Sequence, residues 1–421
     1  MKRFFITFIL MCFYISAFSQ VFELSGQIRP RFEYRHGYKK PFVENQDAAA
    51  AISQRTRLNL DYASPLFRTY VSIQDITLWG DIVAGSKRDF NSFMISQAWA
   101  EIFATKEISL KLGRQNLVYD DKRLFDASDW SQQGRSHDAF LFKFVKNKTK
   151  LDVGIAYNQE KDTLTTTVYK LNNYKTLQYA WLHQDLNDFG ISFVFVNTGM
   201  GTEIDIEGKQ NVRYFQTFGP YMNYKYKDLK LSGALYYQTG KNKNNINKSA
   251  LYGNIAANYD FSPKLSGGLG FQYFTGNSQI ETQDKDHEFV PLYGSAHGNN
   301  GWMDYFYASE HGKVGLMDIY LPLSFKKEKF SADFQLHQFF ATADVSDKQP
   351  TPKKMDANLG TEIGIQLNYA FAKDAVLSGG YSQIFATKTL EVLKGGDKNV
   401  TQNWAWLQLS FTPSFFKYTK E

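Results

Sequence analysis

The chain has 421 residues, a formal charge of +6, 16% aromatic residues and a mean hydropathy of −0.41. The charge is far below the basic excess of a nucleic-acid binder, which excludes that class of partner. Its single cysteine, Cys12, excludes a disulfide framework and a thiolate metal site.

Lys2 and Arg3, the apolar run from Phe4 to Ile15 and the small-x-small sequence Ala17-Phe18-Ser19 read as a cleavable secretory signal over residues 1–19. Met11 before Cys12 argues against a lipoprotein leader. Without Lys2 and Arg3 the charge falls to +4. No later apolar run reaches helix-spanning length. A membrane-embedded mature chain, read as one domain over 20–421, therefore has to be a closed barrel.

Residues 22 to 36 alternate strictly. Phe22, Leu24, Ile28, Phe32 and Tyr34 take one face, while Glu23, Gln27, Arg29, Arg31, Glu33 and Arg35 take the other. Arginine and glutamate on the polar face point to a crowded polar interior, because bulk water would be met as well by Lys, Thr and Ser. The pattern recurs at 53–62, 66–77, 93–104, 107–115, 139–146, 150–158, 174–185, 189–198 and 211–226. It continues at 228–239, 250–260, 264–275, 314–325, 329–341, 359–371, 374–386 and 401–412, eighteen stretches in all. An even number of this size, with short and long connections in alternation, predicts an all-β fold, a single transmembrane antiparallel barrel of about 18 strands with inward-folded loops. The chain runs on through Phe415-Phe416 past the last expected strand. Its closing register is not legible.

The segment Ser109–Asp138 starts as a strand and then becomes dense in guanidinium and carboxylate groups. A solvated loop does not need that mixture, so this segment is expected to be the constriction. After the leader, every arginine except Arg213 lies before residue 136. Because neighbouring strands lie about 4.8 Å apart, Arg29, Arg31, Arg55, Arg57, Arg68, Lys111 and Arg114 are expected to share one lumen wall. Such a wall serves either as an anion guide or as a structural ladder neutralised by carboxylates. Trp99, Trp404 and Trp406 are candidate platforms for sugar rings. Trp79, Tyr119, Trp302 and Tyr307 are expected to be interface anchors.

Q-R-T-R-L-N-L (54–60), Q-D-I-T-L-W-G (74–80), Q-A-W-A-E-I (97–102), L-K-L-G-R-Q-N-L-V-Y-D-D-K-R-L (110–124) and D-W-S-Q-Q-G-R-S-H-D-A (129–139) resemble the alginate-export outer-membrane porin family. V-G-L-M-D-I-Y-L-P-L-S-F (314–325) is also similar to a family strand. The resemblance implies an eighteen-stranded barrel whose arginine-rich constriction passes an anionic uronate polymer. Carried over by position, it implies basic lumen residues at Arg55, Arg57, Lys111, Arg114, Arg123 and Arg135. It implies acidic partners at Asp75, Glu101, Asp129 and Asp138.

The expected function is a passive outer-membrane porin for anionic oligo- or polysaccharides or other anionic solutes. Its expected partners are outer-membrane lipid, the solute and other envelope export or uptake components. The alternatives are a structural or surface-binding barrel with a plugged lumen and an outer-membrane hydrolase. No H-E-x-x-H spacing occurs, and Asp284-x-Asp286-x-Glu288 lacks the glycine and terminal glutamate of a calcium loop. Neither a cofactor nor a metal is expected.

Overall fold

The computed structural model describes residues 20–81, 93–171, 173–295, 297–306 and 313–420. The expected leader and Tyr307 lie outside these residues. The alternating stretches form β1 (Gln20–His36), β2 (Ala49–Ala63), β3 (Phe67–Leu78), β4 (Phe93–Phe103) and β5 (Ile108–Gln115). After a long insertion follow β6 (His137–Lys146), β7 (Thr149–Tyr157), β8 (Tyr174–Leu186), β9 (Phe189–Ile204) and β10 (Gln210–Tyr226). Next come β11 (Leu229–Lys241), β12 (Asn247–Ser262) and β13 (Leu265–Phe274), then a second long insertion. The chain ends with β14 (Leu316–Lys327), β15 (Phe330–Phe340), β16 (Asn358–Ala372), β17 (Ala375–Ala386), helix α1 (Lys388–Lys394), β18 (Gln402–Phe411) and β19 (Ser414–Lys420).

From β1 to β18 each strand pairs antiparallel with the next in sequence, and β1 closes the sheet by pairing with β2 on one side and with β18 and β19 on the other. All eighteen expected strands are present. β19 is an addition to them, and its origin is local. Pro413 has no N–H to continue the ladder, so the register shifts by one residue between Leu24 and Ser25. Gly26 N–H donates to Pro413 O at 3.0 Å. β18 meets β1 from Ile28 to His36, and β19 meets it from Gln20 to Ser25. Together they make one closing strand in two parts.

The burial pattern is that of a soluble sheet turned inside out. On β1, Ile28, Phe32 and Tyr34 are exposed, whereas Arg29, Arg31 and Glu33 are at most 5% exposed. An apolar outer face with a polar inner face belongs to a barrel in lipid. Exposed rings of Phe67, Tyr226, Phe261, Phe330, Phe371 and Tyr418 lie near the short-turn end, at the level of an aromatic girdle. Among the described residues no helix is long and apolar enough to cross a membrane.

The interior departs from the expected wet lumen. Leu124, Phe125, Phe289, Met303 and Tyr305 from the two long insertions pack against inward strand residues such as Tyr252, Phe274 and Phe339. Trp302 and Tyr119 belong to this packing, so neither is an interface anchor. Trp79 is 61% exposed. The insertions bring apolar side chains into the barrel because a lumen this wide would otherwise have to be filled with water.

Candidate functional site: an arginine wall and two inward loops

The inward positions of β1 and β2 place Arg29 beside Arg55, which face each other in register. Arg31 and Arg57 are their inward neighbours, and the four converge on the tip of the first inward loop (residues 116–136). Arg29 donates to Asp129 O at 2.8 Å, to Ser131 O at 2.9 Å and to Gln132 Oε1 at 3.0 and 3.1 Å. Arg31 donates to Trp130 O at 2.8 Å. The Asp129 carboxylate is shared, lying 2.9 Å from Arg55, 3.5 Å from Arg29 and 3.9 Å from Arg57. Gln74 accepts from Arg57 at 2.6 Å, and Gln27 accepts from Arg55 at 2.7 Å. Glu33 bridges Arg31 and Arg35 at 3.3 and 3.1 Å. The guanidiniums thus grip a loop through neutral carbonyls, and among the described residues Asp129 and Glu33 are the carboxylates that offset their charge. The patch remains electropositive.

The second inward loop (described over residues 275–295 and 297–306) is tied to the first. Asp126 N–H donates to Tyr293 O at 3.0 Å, and Tyr293 N–H donates to Leu124 O at 2.9 Å. Arg135 donates to the carbonyls of Tyr293 and Gly294. Arg123, 2% exposed, reaches the far wall and donates to Tyr252 OH at 3.2 Å, to Asn300 Oδ1 at 2.9 Å and to Gln272. A third anchor is Asp120, which accepts from Trp181 Nε1 at 3.0 Å and from Ser192 Oγ at 2.6 Å. Burial pushes the carboxyls of Asp120 and Asp121 up. On β16, Glu362 Oε1 accepts the backbone N–H groups of Trp302 at 2.5 Å and Met303 at 3.1 Å. Gly301 makes this possible, because it holds φ +80° and a Cβ there would collide with the carboxylate.

The expected residues divide into groups. Arg29, Arg31, Arg55 and Arg57 form one patch with Asp129. Lower in the lumen, Lys111 Nζ sits 3.7 Å from the Trp99 ring centroid, opposite Glu101 in the register. Glu101 accepts from Ser109 Oγ at 2.6 Å and lies 3.6 Å from Lys143. Arg68 lies near the short-turn end in a bidentate pair with Asp61, at 2.9 and 2.5 Å. Arg123 and Arg135 bind the loops to each other.

Arg114 is corrected. It follows the outward row Ile108, Leu110, Leu112, and it faces Asp138 on the outer surface at 2.8 Å through both oxygens. Gln115 and His137, the next pair in register, point inward and are buried. Asp138 is therefore no lumen acid. Asp75, between the inward Gln74 and Ile76, likewise takes the outward face. Trp404 is fully buried under Tyr38 and Trp130, with its Nε1 on Glu33 at 3.2 Å, so it leaves no ring face for a sugar. Trp406 is 6% exposed in the same cluster.

Several residues had no signal of their own in the sequence. Trp130 carries Arg31 at 4.1 Å and stacks with His297 at 4.3 Å. His297 meets Asp304 at 2.7 Å, and Tyr38 OH donates to the same carboxylate. These groups line a cavity of about 920 Å³ together with Arg31, Arg35, Lys39, Ser53 and Gln132. It is a vestibule on the long-loop side, lined by the cations Arg31, Arg35, Lys39 and Lys40, by the carboxylates of Glu33, Asp81 and Asp304, and by hydroxyl and amide groups. Its cations outnumber its carboxylates by one, and Glu33 is already paired with Arg31 and Arg35, a balance that suits a hydrophilic anion. Among the described residues no cluster of His, Cys, Asp or Glu could hold a metal ion.

A closed barrel with a greasy exterior, short turns at one end and loops folded inward defines the class of an outer-membrane porin-type β-barrel. No curated protein matches the sequence. The chain belongs to the alginate export family, whose model matches residues 21–390. Solved barrels share its architecture at low identity. Acinetobacter baumannii OccAB1 is 12% identical with a TM-score of 0.63, over 94% of this chain and 97% of that one. OccAB4 from the same organism is 14% identical with a TM-score of 0.60, over 94% and 98%. Pseudomonas aeruginosa OpdK, solved with vanillate, is 10% identical with a TM-score of 0.58, over 94% and 99%.

Proposed function

We propose that this barrel is a passive, anion-selective porin for a carboxylated solute, with uronate-type oligo- or polysaccharides as the first candidates. One observation carries the reading: Arg29, Arg31, Arg55 and Arg57 gather on one wall, and among the described residues Asp129 and Glu33 are the carboxylates in contact with them. A field of that sign beside an open vestibule attracts anions and repels cations. Membership of the alginate export family supports a uronate, and the vanillate bound to OpdK is itself a carboxylate. Export through a cleavable leader to a Gram-negative outer membrane is part of the proposal.

Reversal potentials of the refolded protein in planar bilayers test it under a KCl gradient. Anion preference supports the reading, and a cation-selective or silent barrel overturns it. A second reading, a plugged structural barrel, has its own support. The inward loops are bonded to β1 and β2, to β8 and β9, to β12 and β13 and to β16, so they span the lumen from wall to wall. Conductance separates the two. The hydrolase reading finds His183 between Ser192, at 2.8 Å, and Asp185, at 3.0 Å. That serine is 1% exposed and gives its proton to Asp120, which favours loop docking over nucleophilic attack.

A further inference from the structure

The short-turn end of the barrel carries lysine at most of its turns, with Lys106, Lys148, Lys227, Lys264, Lys327 and Lys373 all exposed. Some loop-end lysines are ion-paired, as in Lys209–Glu207, Lys354–Asp344 and Lys388–Glu391, and at the turn end Lys230 is paired with Asp260. Between the turns of β10–β11, β12–β13 and β14–β15 lies a recess of about 620 Å³. Lys230, Lys264 and Lys326 line it with Asp228, Asp260 and the hydroxyls of Ser262, Ser266 and Ser324. Asp260 is engaged by Lys230 at 2.7 Å. Neither Lys264 nor Lys326 has an acidic side-chain partner among the described residues. Lys326 continues the inward row of β14 after Asp318 and Ser324, and Ser266 faces Ser324 in the register. The recess therefore belongs to the mouth of the lumen and not to the lipid face.

We propose that this recess is an anion-capture site, in which Lys264 and Lys326 receive a carboxylate or phosphate of the solute over the hydroxyls of Ser262 and Ser266. The inference rests on the anion-porin reading and adds a location to it. The site lies on β11 to β14, across the barrel and at the other end from the arginine wall. A passive pore favours neither direction at equilibrium. Its association rates differ, however, wherever one mouth concentrates the ligand. The turn-side mouth is then the faster entrance.

The test uses citrate as a tricarboxylate blocker of single channels of the full barrel in zwitterionic bilayers. Asp374→Cys, labelled with a membrane-impermeant reagent, fixes the orientation of each insertion. At 0.1 M KCl citrate associates faster from the turn side, by about tenfold as expected for electrostatic focusing. The asymmetry vanishes at 1 M, where the screening length is about 3 Å. Lys264→Gln with Lys326→Gln removes it while the loop-side rate and the open conductance stay unchanged. Each single variant removes part of it, and heat-modifiable gel migration verifies that every variant folds. Equal rates from both sides in an anion-preferring wild-type channel overturn the capture site and leave the porin reading standing. Loss of anion preference in the wild type overturns both. If the double variant blocks normally but loses a co-purified anionic phospholipid in native mass spectrometry, the lysines hold lipid headgroups and the proposal fails.

Discussion

Arg55, with no solvent exposure, meets the carboxylate of Asp129 at 2.9 Å, although that carboxylate is itself 62% exposed. A guanidinium buried in a barrel wall is joined to a half-solvated acid at the tip of a loop. One aspartate shared among three arginines thus sets the charge around Arg29, Arg55 and Arg57, as Glu33 does around Arg31 and Arg35.

Asp129→Asn removes that neutralisation while keeping a side chain of the same shape. The anion preference of the channel is expected to rise, with the reversal potential moving further in the anion direction. The stability cost is expected to stay within about 1 kcal/mol, because the carboxylate is largely solvated. Reversal potentials at low salt and a thermal midpoint measure the two effects.

Arg57→Glu and Arg114→Glu separate the two faces of the barrel. Arg57 lies on the lumen side with Gln74 and Asp129, so reversing its charge is expected to shift selectivity toward cations. Arg114 is paired with Asp138 on the outer face, and its reversal is expected to leave selectivity unchanged. Equal shifts in both would contradict this placement of the two side chains.

Glu362 holds the second inward loop through the N–H groups of Trp302 and Met303. Glu362→Ala leaves both donors buried without a partner, at about 1–3 kcal/mol each. Faster proteolysis within 275–306 and noisier open-channel current are expected. Glu362→Gln keeps an acceptor oxygen and is expected to stay close to the parent in both measurements.

Truncation after Thr412 removes β19, leaving Val21–Ser25 paired with β2 alone and Gln20 without a strand partner. Unpaired backbone groups at membrane depth are costly, so the barrel is expected to lose heat resistance by several kcal/mol, at about 1 kcal/mol per ladder bond. The temperature at which the folded band disappears on a semi-native gel checks this. An unchanged temperature would mean that β18 alone closes the wall.

The barrel was legible because lipid and lumen enforce alternation on every strand, as in Ile28, Arg29, Pro30, Arg31 on β1. The same alternation already placed Arg114 with Leu110 and Leu112, and Asp75 opposite Gln74. Reading both as lumen charges gave arginine and aspartate chemistry more weight than the face they occupy. β19 was hidden because Pro413 and the register shift break the period within a few residues. The loop tip was legible as a charge-dense segment, but its contacts were not. Arg29 and Arg31 bind backbone carbonyls of residues 129–131, and carbonyls leave no mark in side-chain identity. The burial of Phe125 and Phe289 was not legible, because the partners that bury them come from distant strands.

Gln20 and Lys420 stand opposite each other at the end of the seam between β1 and β19. The backbone from one to the other is therefore a ring that lacks a single short link. A few added residues could join these positions, and new termini could be opened in an exposed turn elsewhere. Such a permutant keeps every ladder pairing while changing which strand is made first. It would show whether the wall must be laid down from β1 onward or merely has to meet itself.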